Sequence, residues 1–349
     1  MGKVISCPSC GAPLLYDSVT PERCSFCGSR IIFDKSTPLG APTSQATGTL
    51  PKKTNLMVVL GAVLAMVVLG VTGAVFSLVS SDPMVSVISN APDEIKLADE
   101  VLRIGGEGTG VGRFTDNRVV GVDAENRVYS TDYSGNRIQV FDAQGKFIKQ
   151  WIHDLTYFQS FKVSRSGKVY INSGSKILKF DGMSGKLEAE IMSHFAGPMA
   201  IKPNGDVVIC KSTGDIVEVD ENLKLIKEHK EALKKGGMEN FIVSSVACNG
   251  LGELFVLDLA GQNVFHYSPK FEFMDRFKTK ISSNFDIAVD PNDRIFISGL
   301  NEVYMYENDG DYIGSFPTKQ TFGLAFADDG SLWTASRPYL VKYKINEVQ

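Results

Sequence analysis

A unit of about 40 residues recurs six times between Val101 and the C-terminal end of the chain. Each copy holds a β-type run ending near a Gly- or Asp-bearing turn, a second run, and then two large side chains three residues apart. Those steps are Ile138/Phe141, Ile177/Phe180, Ile216/Val219, Val264/Tyr267, Val303/Tyr306 and Leu340/Tyr343. Their first members lie 39, 39, 48, 39 and 37 residues apart. A unit this small cannot bury its own apolar face and must stack on its neighbours. Short strands at this period predict a mainly β fold, a six-bladed β-propeller with one four-stranded blade per copy.

The ends of the repeat region predict how the ring closes. The sixth copy runs through residues 340–345 and stops without an outer strand, while an unmatched strand-like run, 100–104, precedes the first copy. Pairing that run onto the sixth blade removes two free sheet edges. The third-to-fourth interval carries a surplus around residues 227–240, Lys-Glu-His-Lys-Glu-Ala-Leu-Lys-Lys at its centre, with helix-forming composition. We read it as a solvated helix bridging two blades, with a partner-facing protrusion as the alternative.

The segments before the repeats differ sharply from them. Residues 36–54 read as a flexible linker, since 36–51 lack charge, aromatics and periodicity. Residues 55–81 are uncharged and dominated by Val, Leu, Ala, Met and Gly. That run exceeds the roughly 20 apolar residues a helix needs to span a bilayer. Lys52 and Lys53 precede it, and Asp82, Asp93 and Glu94 follow. The positive-inside tendency then leaves the N-terminus in the cytoplasm and the propeller periplasmic or extracellular. A cleaved signal peptide does not suit a run that begins at residue 55. Gly61/Ala65 and Gly70/Ala74 are small pairs four apart, a spacing that lets two such helices pack as a homo-oligomer.

Residues 1–35 hold four of the six cysteines. Cys7-Pro8-Ser9-Cys10-Gly11 is answered by Cys24-Ser25-Phe26-Cys27-Gly28. Two thiolates at i and i+3 on a tight turn can grip one tetrahedral ion, and two such knuckles close its shell against substrate. The module resembles a short zinc ribbon over residues 4–34. That resemblance gives Cys7, Cys10, Cys24 and Cys27 the role of ligands to a structural Zn2+. Paired disulfides and an iron site are the competing readings. A cytoplasmic setting disfavours the first, because thiols stay reduced there. With only Lys3, Arg23, Arg30 and Lys35 the module has no basic cluster, so no nucleic-acid partner is expected.

The first repeat is the clearest copy. Gly-Thr-Gly-Val-Gly-Arg-Phe at 108–114 leads into 119–123, then Asn126-Arg127-Val128-Tyr129, Asp132, Asn136-Arg137-Ile138-Gln139-Val140-Phe141-Asp142 and Gly145-Lys146-Phe147. This resembles an NHL repeat, strongly in one blade and by period over residues 97–346. The first strands are read to end at Asp123, Ser164, Lys202, Asn249, Asp290 and Ala327.

The resemblance also raises enzymes, since some NHL-like propellers are lyases or hydrolases that set metal ligands around the central channel. Such chemistry needs several His or carboxylate groups converging from different blades. The chain has four histidines, His153, His194, His229 and His266. His153 and His194 fall in successive blade connections at offsets three residues apart, which does not support convergence. His266, beside Tyr267 in a third strand, reads as packed or surface-facing. Asp286, Ser160 and Ser245 occupy matching points of their first strands and read as a polar rim at one channel mouth. The Gly-rich stretch 105–112 lacks both the order and the following helix of a phosphate loop. Cys210 and Cys248 read as buried free thiols. Beyond residue 82 there are 30 basic and 36 acidic side chains, against a nucleic-acid-binding propeller.

The sequence therefore predicts five segments: a zinc ribbon at 1–35, a linker at 36–54, a transmembrane helix at 55–81, a linker at 82–96, and the propeller at 97–349. No catalytic or cofactor-binding residue emerges, and a non-enzymatic role is expected. The expected role is a membrane-anchored scaffold that offers its propeller loops to a protein, peptide or glycan, with the bilayer engaged through 55–81. The alternatives are a channel lyase or hydrolase and a transmembrane sensor.

Overall fold

A computed structural model describes residues 3–6, 13–16 and 96–347, except 134, 156, 193–196, 239–241, 260–261 and 282. The run at 55–81, the cysteines at 7, 10, 24 and 27, and His194 lie outside the described residues. Among those described, no helix is long and apolar enough to cross a membrane. At the N-terminal end, Lys3–Ser6 and Pro13–Tyr16 pair as an antiparallel two-stranded unit, with Ser6 opposite Pro13.

Residues 96–347 form six four-stranded antiparallel sheets. From the channel outward, blade one is Asn117–Val122, Val128–Asp132, Arg137–Phe141 and Phe147–Ile152. The other inner strands are Ser160–Val163, Met199–Ile201, Val243–Cys248, Ile287–Val289 and Thr321–Phe326, each beside the inner strands of both neighbouring blades. Blade six takes its outer strand from Ala98–Gly105, which pairs antiparallel with Tyr339–Ile345. The first repeat thus follows a strand already spent on the last blade, and the ring closes without a free seam.

All twelve residues of the six apolar steps lie in third strands and are buried. Their alternation fills the spaces between blades, because each sheet buries both faces. Between blades three and four, for example, Ala200, Val208 and Ile216 meet Val246, Val256 and Phe265.

One turn closes the inner pair of every blade. The residue after each inner strand is Asp123, Ser164, Lys202, Asn249, Asp290 or Ala327. Its N–H donates to the carbonyl four residues on, and its carbonyl accepts from the N–H three residues on. The third residue on always has positive φ: Asn126, Gly167, Gly205, Gly252, Asp293 and Gly330. Gly, Asn and Asp recur there because they tolerate that backbone region best. Asp123, Asn249 and Asp290 brace the turn further, each Oδ1 accepting two backbone N–H groups.

The surplus after blade three corrects one expectation. Leu225–His229 is the outer strand of that blade, and the helix is only Ala232–Lys235. It does bridge blades three and four, but as a single turn packed into their core and not as a solvated helix or a protrusion. Leu233 is fully buried with Ala232 and Met238 in the core between blades three and four, and Tyr267 donates its hydroxyl to the Leu233 carbonyl at 3.4 Å. The apolar residues embedded among the lysines decide the outcome, since burying Leu and Met outweighs solvating the segment.

Candidate functional site

Counting back from each turn residue, two positions along the inner strand repeat in character. The third back is Val120, Phe161, Met199, Val246, Ile287 or Leu324, all buried. The second back is Gly121, Ala200, Ala247, Ala288 or Ala325, but Lys162 in blade two. Space explains the small residues: a Cβ on Gly121 would collide with Val163 of the next blade. Lys162 satisfies the same packing only by sending its chain into the channel. Its Nζ reaches Asp286 Oδ1 of blade five, three blades round the ring, at 3.5 Å.

Asp286 is held further by contacts from blades four and six and from its own blade. Ser245 of blade four donates its hydroxyl to Oδ1 at 2.5 Å, and the backbone N–H of Ile287 does so at 3.0 Å. Leu324 N–H of blade six donates to Oδ2 at 2.9 Å. The expected polar rim is therefore real for Asp286 and Ser245, but as a brace joining blades. Ser160 does not join them. Its Oγ accepts the Met199 N–H at 3.0 Å and ties blade two to blade three.

On the face carrying the six repeated turns, a cavity of about 920 Å3 is lined by inner-strand residues of blades two to six, Lys162 among them. The other charges at its mouth are mostly committed. Arg165 grips Asp328 over the turn of blade one, Lys202 pairs with Glu218 at 2.7 Å, and Asp290 with Arg294 at 2.7 Å. Cys248 also lines this cavity, its thiol pushed up to about 12 by burial. It and Cys210 are free, as expected, at the junction of blades three and four.

The opposite face carries the connections between blades. A second cavity, about 460 Å3, is lined there by Tyr133, Tyr157, Phe158, Gln159, Ser212 and Ile242, among others. Tyr133 meets both Tyr157 and Phe158 edge-on, each with centroids 5.9 Å apart. Arg118 lies between the Tyr133 and Phe322 rings, 4.4 and 5.1 Å from their centroids, with its guanidinium paired to Asp116 at 2.8 Å. Tyr157 is 47% exposed and Ile242 53%, so this rim presents apolar area to solvent.

The described histidines do not converge. His153 is buried beside Trp151 and Phe180, accepts the Leu155 N–H on Nδ1, and is held down to about 4 by burial. His229 sits edge-on to Phe271 with its pKa lowered, first by burial and then by Lys227. His266 stacks on Phe255 at 4.3 Å with Glu253 beside it, the packed one of the two roles expected. Among the described residues no group of three or more His, Cys, Asp or Glu side chains could hold a metal ion. The Gly-rich entry packs as backbone: Gly106 N–H donates to the Pro338 carbonyl and Gly112 N–H to Gln139 Oε1.

Comparison with solved structures finds many chains that share this fold. A solved streptogramin B lyase structure superposes with a TM-score of 0.50 at 12% identity, over 67% of this chain and 94% of that one. What the two share is the fold. No family model matches the chain, and no curated protein matches it. At that identity the likeness extends to the six-bladed architecture and carries no activity across.

Proposed function

We propose that this chain is a membrane-anchored binding protein whose propeller offers its connection face to a protein, peptide or glycan. One observation carries the reading: the channel carboxylate, Asp286, is consumed in bracing blades, whereas the connection face leaves Tyr157 and Ile242 open beside an aromatic-lined cavity. Exposed aromatic anchors on a rigid frame bind with little ordering cost. Entry of the chain supports the same choice of face. Ala98 lies opposite Ile345, at the repeated-turn end of blade six, so the closing strand arrives from the other side of the ring. The anchor in this reading is the run at 55–81, with the N-terminus cytoplasmic.

The four N-terminal cysteines complete the reading as a structural Zn2+ ribbon. The pairing of Ser6 with Pro13 supports it, since Cys7 and Cys10 fall in the short connection between two paired strands, where a metal knuckle belongs. Photo-crosslinkers placed singly at Tyr157 and Leu300, and on the other face at Asn204 and Gly250, test the binding face in native membranes. Adducts of one mass at 157 and 300, lost from the Ile242→Asp variant, are expected. Equal capture from both faces, or adducts indifferent to Ile242, would sink the proposal.

A further inference from the structure

We infer that the channel is a binding well for a monocarboxylate with a compact apolar body, and that Lys162 is the residue that receives the carboxylate. The site lies at the opposite end of the ring from the proposed partner face and does not depend on it.

The first observation is the position itself. Five blades place Gly or Ala two residues before the turn, where the inner strands crowd, and blade two alone places a lysine. Nothing in the packing asks for it, because Ala serves the same position in blades three to six. The second observation is the state of its ammonium group. Lys162 makes one contact, the 3.5 Å approach to Asp286, although an ammonium carries three donors. Asp286 does not require it, having closer donors from Ser245, Ile287 and Leu324. The side chain is 23% exposed, and it lines the 920 Å3 cavity. That volume is in the range that encloses small ligands.

The walls set the rest of the ligand. Val163, Ile201, Val289 and Phe326 supply partly exposed apolar surface, and Ala247 leaves room between them. Arg165 and Lys202 are paired at the mouth, so Lys162 is the cation with donors to spare. A dianion such as phosphate would meet one ammonium amid the carboxylates of Asp286, Asp290, Glu221 and Asp328. A single carboxylate matches one ammonium, and its apolar body matches the walls. That carboxylate could belong to a free small acid or to a chain terminus, and the test separates the two.

The experiment uses the full chain in detergent with 19F-detected binding of 4-fluorobenzoate, with 4-fluorobenzamide as its neutral isostere. N-acetyl-4-fluorophenylalanine, as acid and as amide, stands for a chain terminus. At least one acid should bind about tenfold or more tightly than its amide, with K162A losing that margin and K162R keeping most of it. K162M reports the same loss should K162A not fold. Whichever acid binds more tightly identifies the source. Equal binding of acid and amide, absence of binding by both acids, or unchanged affinity in K162A and K162M would overturn the assignment.

Discussion

The two faces of the ring are built on opposite rules. On one, six inner turns close with the same pair of backbone hydrogen bonds and the same left-handed residue, whatever the side chains around them. On the other, the connections between blades run from three residues, 318–320, to thirteen, 230–242. The first face is repetitive because a five-residue turn between twisted strands has few solutions. The second is free to vary because each connection needs only to reach the next inner strand. Variation is where binding surfaces are made, on a frame that the regular face keeps stiff.

This contrast can be broken outright. Deleting residues 98–105 from the full chain should cost both faces at once, with loss of a cooperative thermal transition, because blade six then exposes the edge of Tyr339–Ile345. A variant that still melted in a single sharp transition at the wild-type temperature would show that the ring does not depend on its seam.

A smaller intervention should separate the faces. Asp123 is fully buried and accepts from two backbone N–H groups, Arg127 Nε and the Tyr129 hydroxyl. Asp123→Ala strands those donors and should cost about 3 kcal/mol or more in urea unfolding. Ala327 fills the same place in blade six without a side-chain acceptor, so the loss measures the brace and leaves the turn itself intact. A cost under about 1 kcal/mol would mean that the backbone pattern alone suffices.

On the connection face the sharper probe is pH. His153 is buried and its pKa is depressed to about 4 from an ordinary 6.5. The unfolded chain therefore binds a proton more readily than the folded one between those values. Its contribution is fully present above pH 6.5, falls as the pH drops and is gone once the pH has passed below about 4, amounting to roughly 3 kcal/mol. His153→Phe should flatten that part of the stability curve. An unchanged slope between pH 6.5 and 4 in the variant would assign the effect to other groups.

Much of the ring is legible in the sequence. The apolar steps mark third strands because residues three apart lie on opposite faces of a strand, and a blade packed on both sides buries both. The run at 100–104 belongs to the closing strand because it was the one strand without a blade. Asp286 and Ser245 were matched correctly, yet Ser160, at the same register, turns to its neighbour blade instead. Register determines where a side chain starts and leaves open which partner it finds. Lys162 was visible only as an exception within six aligned copies, at a position whose rule is smallness. The aromatic rim had no such signal, since Tyr133, Tyr157 and Phe322 come from connections of different length and meet only once the ring closes.

The seam at blade six also has a mechanical meaning. Residue 96 feeds directly into Ala98, whose partner Ile345 is the last residue of the facing strand, and Asn346 clasps the Lys96 and Leu97 carbonyls. Tension drawn between residue 96 and the segment after Ile345 therefore arrives at one end of an antiparallel pair. The bonds there open one after another, from Ala98 toward Gly105, instead of sharing the load. Pulled apart between its two ends the propeller would unzip at low force, whereas tension between the leading end and the connection face runs along the closing strand and loads its bonds together.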